Sequence, residues 1–142
     1  MSRRQIREQI FLLLFSTEFF SKDELDAQLS LNMQTHEAMG EEDPPFAGEL
    51  SEEDAAYIEA KVRDISDHLD EIDELINAGA ENWKTTRMAK AELAIIRLAV
   101  YEMKYEEEIP VSVAINEAVE LAKVYGGDKG AAFVNGVLAK LV

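Results

Sequence analysis

Apolar residues recur at three- and four-residue spacings along almost the whole chain, and no alternating strand pattern with a hairpin turn is present. Ile6, Ile10, Leu13 and Leu14 form one stripe, with Arg3 and Arg7 along it and Glu8 opposite. That spacing predicts a helix from Arg3 to about Phe20. Phe11, Leu12 and Phe15 widen the stripe, so this helix is expected to be largely buried. Leu25, Leu29 and Met33 predict a second helix over about Lys22–Glu37. The stretch GEEDPPFAGEL, with two prolines, two glycines and four acids, reads as a loop. Ser51 then reads as an N-cap, and the acids at 52–54 suit the positive end of a helix dipole. The periodicity runs on through Tyr57, Ile58, Val62, Ile65, Leu69, Ile72 and Ile76 to Gly79, a C-cap position. This is long for one helix, and a break is expected near Ser66–Asp67.

Residues 84–142 predict three more helices. TRMAKAELAIIRLAVYEM places Met88, Leu93, Ile96, Val100 and Met103 on one apolar arc, with Glu92 inside it. Ile109-Pro110 stops that helix. VSVAINEAVELAKVYGG restarts after Ser112 and ends at Gly126, and DKGAAFVNGVLAKLV begins at an Asp128 cap. The expected fold class is all-α, a single compact domain of about seven helices.

At 47% apolar and 30% charged, the composition is that of a soluble globular domain. The run Ile10–Phe15 is too short to span a bilayer, and no small-residue cleavage site follows it, so no targeting segment and no membrane span are read. There is no cysteine, which rules out disulfides and thiolate metal sites and fits a cytoplasmic location. The formal charge of −15 is unevenly spread. Residues 1–22 carry four basic and two acidic side chains, residues 23–83 two and nineteen, and residues 84–142 eight of each. Nearly all excess negative charge therefore lies in the middle. Charges are screened beyond about 8–10 Å at physiological salt, so a local basic patch can still face phosphates.

Catalytic motifs are lacking: there is no GxGxxG, P-loop, HExxH or GxSxG. His36 and His68 lie in acidic helical stretches without metal-ligand spacing and read as solvent-exposed. No enzyme is expected. The last 60 or so residues do carry polar groups inside apolar helices. Arg97 requires a partner if buried, for which Glu102 and Glu117 are candidates. Asn116 and Asn135 would need hydrogen bonds. Gly136 inside a helix costs about 1 kcal/mol relative to Ala, which suggests a close approach there. Arg97, Glu102, Asn116, Glu117, Asn135 and Gly136 thus read as a polar network locking interhelical packing.

These residues also carry a resemblance. W-x3-RM-x3-E-x4-RLAVYE, then IPVSVAINEAVELAKVYG, then FVNGVL is similar to the NusB family of bacterial transcription antitermination factors, and SRRQIRE-x6-F resembles that family's arginine-rich helix opening. The match covers the two ends, about half of the chain. It implies one NusB-like RNA- and protein-binding domain over residues 1–142, built of two packed helical subdomains. It implies binding of a short single-stranded boxA element jointly with NusE, a small-subunit ribosomal protein, within an RNA polymerase antitermination complex that reads through terminators, notably in ribosomal RNA operons. It implies neither a metal nor an organic cofactor.

Residue by residue, the resemblance implies that Arg3, Arg4 and Arg7 bind RNA, joined by Phe15, Tyr125, Lys129 and Phe133. Arginine suits phosphate, and aromatic rings suit unstacked bases. It implies that Glu92, with Lys84 and Arg87 nearby, faces NusE. The chain departs from the family where it has Ile6, Ile10 and Leu12, and where Gly130 and Ala132 stand in place of Ser and Lys, leaving Lys129 as the substitute basic contact. The alternative is a helical interaction scaffold that binds NusE or itself without RNA. Monomer and homodimer both remain open, the latter with Arg3, Arg4 and Arg7 hidden.

Overall fold

The computed structural model describes residues 2–17, 51–80 and 82–142. The expected helix over Lys22–Glu37, the proline-rich loop and His36 lie outside the described residues. Among those described there are six α-helices and no strand: α1 (Arg3–Ser16), α2 (Glu52–Asp67), α3 (Leu69–Gly79), α4 (Lys90–Tyr105), α5 (Val111–Tyr125) and α6 (Gly130–Lys140). A 3-10 turn at Thr85–Arg87 precedes α4. The chain divides into two compact units, Met1–Asp64 and Ile65–Val142. No helix among the described residues is long and apolar enough to cross a membrane.

In the first unit, α1 opens with a capping box: Ser2 Oγ accepts from the Gln5 N–H and Gln5 Oε1 accepts from the Ser2 N–H. Of the predicted stripe, Ile10, Phe11, Leu13 and Leu14 are buried, while Ile6, Leu12 and Phe15 are half-buried. The helix is C-capped at Thr17, and its expected continuation to Phe20 lies outside the described residues. At the start of α2, Ser51 Oγ accepts from the Asp54 N–H at 3.0 Å, and three acids fill the first turn. Ala55, Ile58 and Val62 form the buried face.

The second unit begins with the end of α2. At His68 the N–H turns back to the Ile65 carbonyl, and the His68 carbonyl starts α3 by accepting from Ile72. The break expected near Ser66–Asp67 is this kink. Ile72 and Ile76 are the buried face of α3. Helix α4 is the hub, with Leu93 to Ile96 and Leu98 to Glu102 all buried. A helix apolar on nearly every side must be surrounded, and α3, α5 and α6 pack on it. Burying each Leu or Ile contributes about 1.5–3 kcal/mol. Helix α5 starts at Pro110, whose carbonyl accepts from Val113 and Ala114, and stops at Gly126. The expected Asp128 cap is not formed. Lys129 occupies the N-cap position of α6, with no side-chain capping bond.

Of the polar network expected in this unit, Asn116, Asn135 and Gly136 do not lie between packed helices. The Arg97 guanidinium closes a two-pronged bond on Asp73 of α3, at 2.9 and 2.8 Å. Glu102 is buried and Glu117 half-buried, but Asn116, Asn135 and Gly136 are exposed. Nothing among the described residues approaches a Cβ built on Gly136 within 4 Å. The reason lies in which faces pack. α5 buries Ala114, Ala118, Leu121 and Ala122, and α6 buries Gly130, Val134, Val137 and Leu138. At 3.6 residues per turn the asparagines fall on the opposite sides. His68 is also corrected: it is half-buried, its ring 4.9 Å from that of Tyr105.

Candidate functional site

Arg3 and Arg4 are exposed and Arg7 is half-buried on the opening turns of α1. The first turn contains no acid. Cations at a helix N-terminus face the positive end of the dipole, a local cost of about 0.3–1 kcal/mol each. An anion arriving there relieves it and is met by exposed N–H groups as well as guanidinium. Phe15, two to three turns on, is half-buried and stacks on the buried Phe11 ring at 6.2 Å and 16°. One ring anchors the other.

In the second unit the geometry gathers residues from two different expectations. A groove of about 610 Å³ separates the segment leading into α4 from α6. Arg87 and Glu92 line it from one side, Lys129 and Phe133 from the other. Lys84 and Tyr125 do not line it; Lys84 precedes the 3-10 turn, and Tyr125 ends α5, half-buried. The carboxylate of Glu92 lies against the start of α6: a Cβ built on Gly130 would stand 3.1 Å from its Oε1. Glycine there leaves room for the acid.

Two residues that sequence reasoning did not name shape this groove. Asn77 of α3 pins the 3-10 turn, its Oδ1 accepting from the Thr85 N–H at 2.9 Å while its carbonyl accepts from Lys84 Nζ at 3.4 Å. Trp83 lines the groove with its indole 48% exposed, set edge-on to Phe133 at 5.0 Å and 83°. A lone tryptophan in a short interhelical segment is the signal that could have pointed to it. Among the described residues no cluster of three His, Asp or Glu side chains could hold a metal ion.

The NusB family model matches residues 4–142. The chain belongs to the NusB family. It is 49% identical to the transcription antitermination protein NusB of Agathobacter rectalis over 143 residues, covering 99% of this chain and 98% of that one. It is 41% identical to that of Lachnoclostridium phytofermentans over 142 residues, covering 100% and 99%. The solved structure of T. maritima NusB superposes with a TM-score of 0.76 at 29% identity, over 99% of this chain and 90% of that one. NusB is a family of transcription factors, and the similarity runs through both compact units.

Proposed function

We propose that the chain promotes transcription antitermination by holding a boxA-type single-stranded RNA segment jointly with NusE, so that RNA polymerase reads through terminators, notably in ribosomal RNA operons. That it is a transcription antitermination protein follows from the family and from full-length relatives of that name. The observation that carries the RNA-binding step is the arginine set on a capped helix N-terminus that has no acid in its first turn. Arg3, Arg4 and Arg7 supply phosphate contacts, and Phe15, Tyr125, Lys129 and Phe133 supply rings and charge for an unstacked strand. Lys84, Arg87 and Glu92 supply the NusE contacts. The work is done in the cytoplasm, without a cofactor.

The test is binding of fluorescent boxA RNA, with and without NusE, against a scrambled RNA. Selective binding that tightens with NusE is the expected result. Charge reversal at Arg4 and Arg7 should abolish it and leave NusE binding intact. A second reading is an interaction scaffold without RNA. It is favoured by Ala132, which lines the groove where the family carries a base. RNA that never binds while NusE does would establish that reading. A homodimer that covers the three arginines would be a self-inhibited form; a dimer mass unchanged by bound RNA in light scattering would refute it.

A further inference from the structure

The 3-10 turn Thr85–Arg87 is three residues long, with extended backbone on both sides, at Lys84 and at Met88. Within it the Arg87 N–H donates to the Lys84 carbonyl at 2.9 Å, and the Met88 N–H to that of Thr85 at 3.3 Å. The turn has no side-chain capping bond at its start. Hydrogen bonds in a 3-10 turn have poorer geometry than those of an α-helix, and so short a turn does not sustain itself. Its shape must come from a neighbour.

That neighbour is the end of α3. Asn77 meets Thr85 with both ends of its amide: Oδ1 accepts from the Thr85 N–H at 2.9 Å, and Nδ2 donates to Thr85 Oγ1 at 3.4 Å. A backbone N–H can only donate, which fixes the way round that the amide lies. Asn77 is half-buried and Thr85 buried, so water does not fully replace a lost bond. The Asn77 carbonyl makes a third contact. It is among the last four carbonyls of α3, which have no donor within the helix. It accepts instead from Lys84 Nζ at 3.4 Å. A cation there also suits the negative end of the helix dipole. One residue fixes the backbone of the turn through its side chain and the Lys84 ammonium through its main chain.

We infer that Asn77 is a positioning residue for partner binding: it acts through Lys84 and Arg87, holding the turn that carries them in the shape that the partner meets. The inference rests on the reading of NusE as the protein partner at Lys84, Arg87 and Glu92. Arg87 ends the turn, so its direction follows from the bond between Asn77 and Thr85. Glu92 is independent of that bond, because it lies in the first turn of α4 and the buried Leu93 next to it anchors the helix. Long cationic side chains on a turn already in shape lose less freedom when a partner binds.

The experiment uses the full chain with Asn77→Ala and Asn77→Asp, each titrated with NusE and, separately, with boxA RNA. Alanine is a better helix former than asparagine, so α3 itself is not weakened. Aspartate keeps an acceptor for the Thr85 N–H, and its second oxygen accepts from Thr85 Oγ1 in place of the lost donor. Asn77→Ala should weaken NusE binding about tenfold, the equivalent of about 1.4 kcal/mol, and speed hydrogen exchange at the Thr85 amide. Asn77→Asp should recover most of both. RNA binding in the absence of NusE should stay at the wild-type level in both variants. A double-mutant cycle gives the readout that a merely structural role would not move. Arg87→Ala should cost less NusE affinity in the Asn77→Ala background than in wild type, whereas Glu92→Ala should cost the same in both. Wild-type NusE affinity in Asn77→Ala overturns the inference, as does an equal cost of Arg87→Ala in the two backgrounds. A parallel loss of RNA binding also overturns it and makes Asn77 a residue of general stability. If the wild-type chain does not bind NusE, the partner reading falls and the positioning role falls with it.

Discussion

The Arg97 side chain is 12% exposed and its partner Asp73 24%, so this two-pronged pair is made largely out of water. Truncating Arg97 leaves the carboxylate without its fork. Arg97→Ala should therefore lower stability by about 1.5–3 kcal/mol in urea unfolding, and Arg97→Lys should recover only part of it, since an ammonium cannot present two parallel donors. Gly126→Ala should also destabilise, for a different reason. An added Cβ would stand 2.8 Å from the backbone carbonyl of Ala122, which cannot move without disturbing the end of α5. A lower melting temperature and altered amide signals at Lys129 and Gly130 would report it. The need of Arg97 for a partner was legible in the sequence; the part played by Asp73 was not. Asp73 lies 24 positions earlier on another helix, among many acids that look alike locally.

Several helix ends were readable, because they depend on neighbours a few residues away, although α6 starts without the Asp128 cap and Ala80, not Gly79, caps α3. Ser51 caps α2, the kink falls at His68, and Gly126 ends α5. Helix faces were less readable where alanine dominates. Small side chains satisfy both a buried and an exposed position, so the inward side of α5 and α6 was decided by packing, and Asn116 and Asn135 turned outward. The groove was illegible for a related reason: it forms only when the segment around Trp83 meets α6, some 50 residues later. For α1, local electrostatics give a prediction of opposed signs. Arg3→Glu replaces a cation with an anion in the first turn, which should stabilise the helix by about 0.3–1 kcal/mol. The same change should weaken RNA binding. Thermal melts and RNA titrations of one variant would show both, and a joint loss of stability and affinity would contradict the electrostatic account.

For the whole molecule, a formal charge of −15 predicts poor affinity for any polyanion, and binding must depend on where the charge lies. The acid-rich stretch 23–83 carries the excess, while both ends are neutral or basic. With about three phosphate contacts on a single strand, log affinity should fall against log salt with a slope of roughly −2. A much steeper slope would mean that cations beyond Arg3, Arg4 and Arg7 take part. A slope near zero would mean that stacking alone holds the strand. A titration series between low and physiological salt measures this directly.

The chain has a single tryptophan in 142 residues, and it lines the groove beside α6 with about half of its surface in water. All indole emission therefore originates at one address. A partner that covers Trp83 removes water from its ring, so the emission should shift to the blue, whereas a ligand held only by α1 leaves the colour alone. The protein carries its own optical label for that one surface, with no dye attached and no residue replaced.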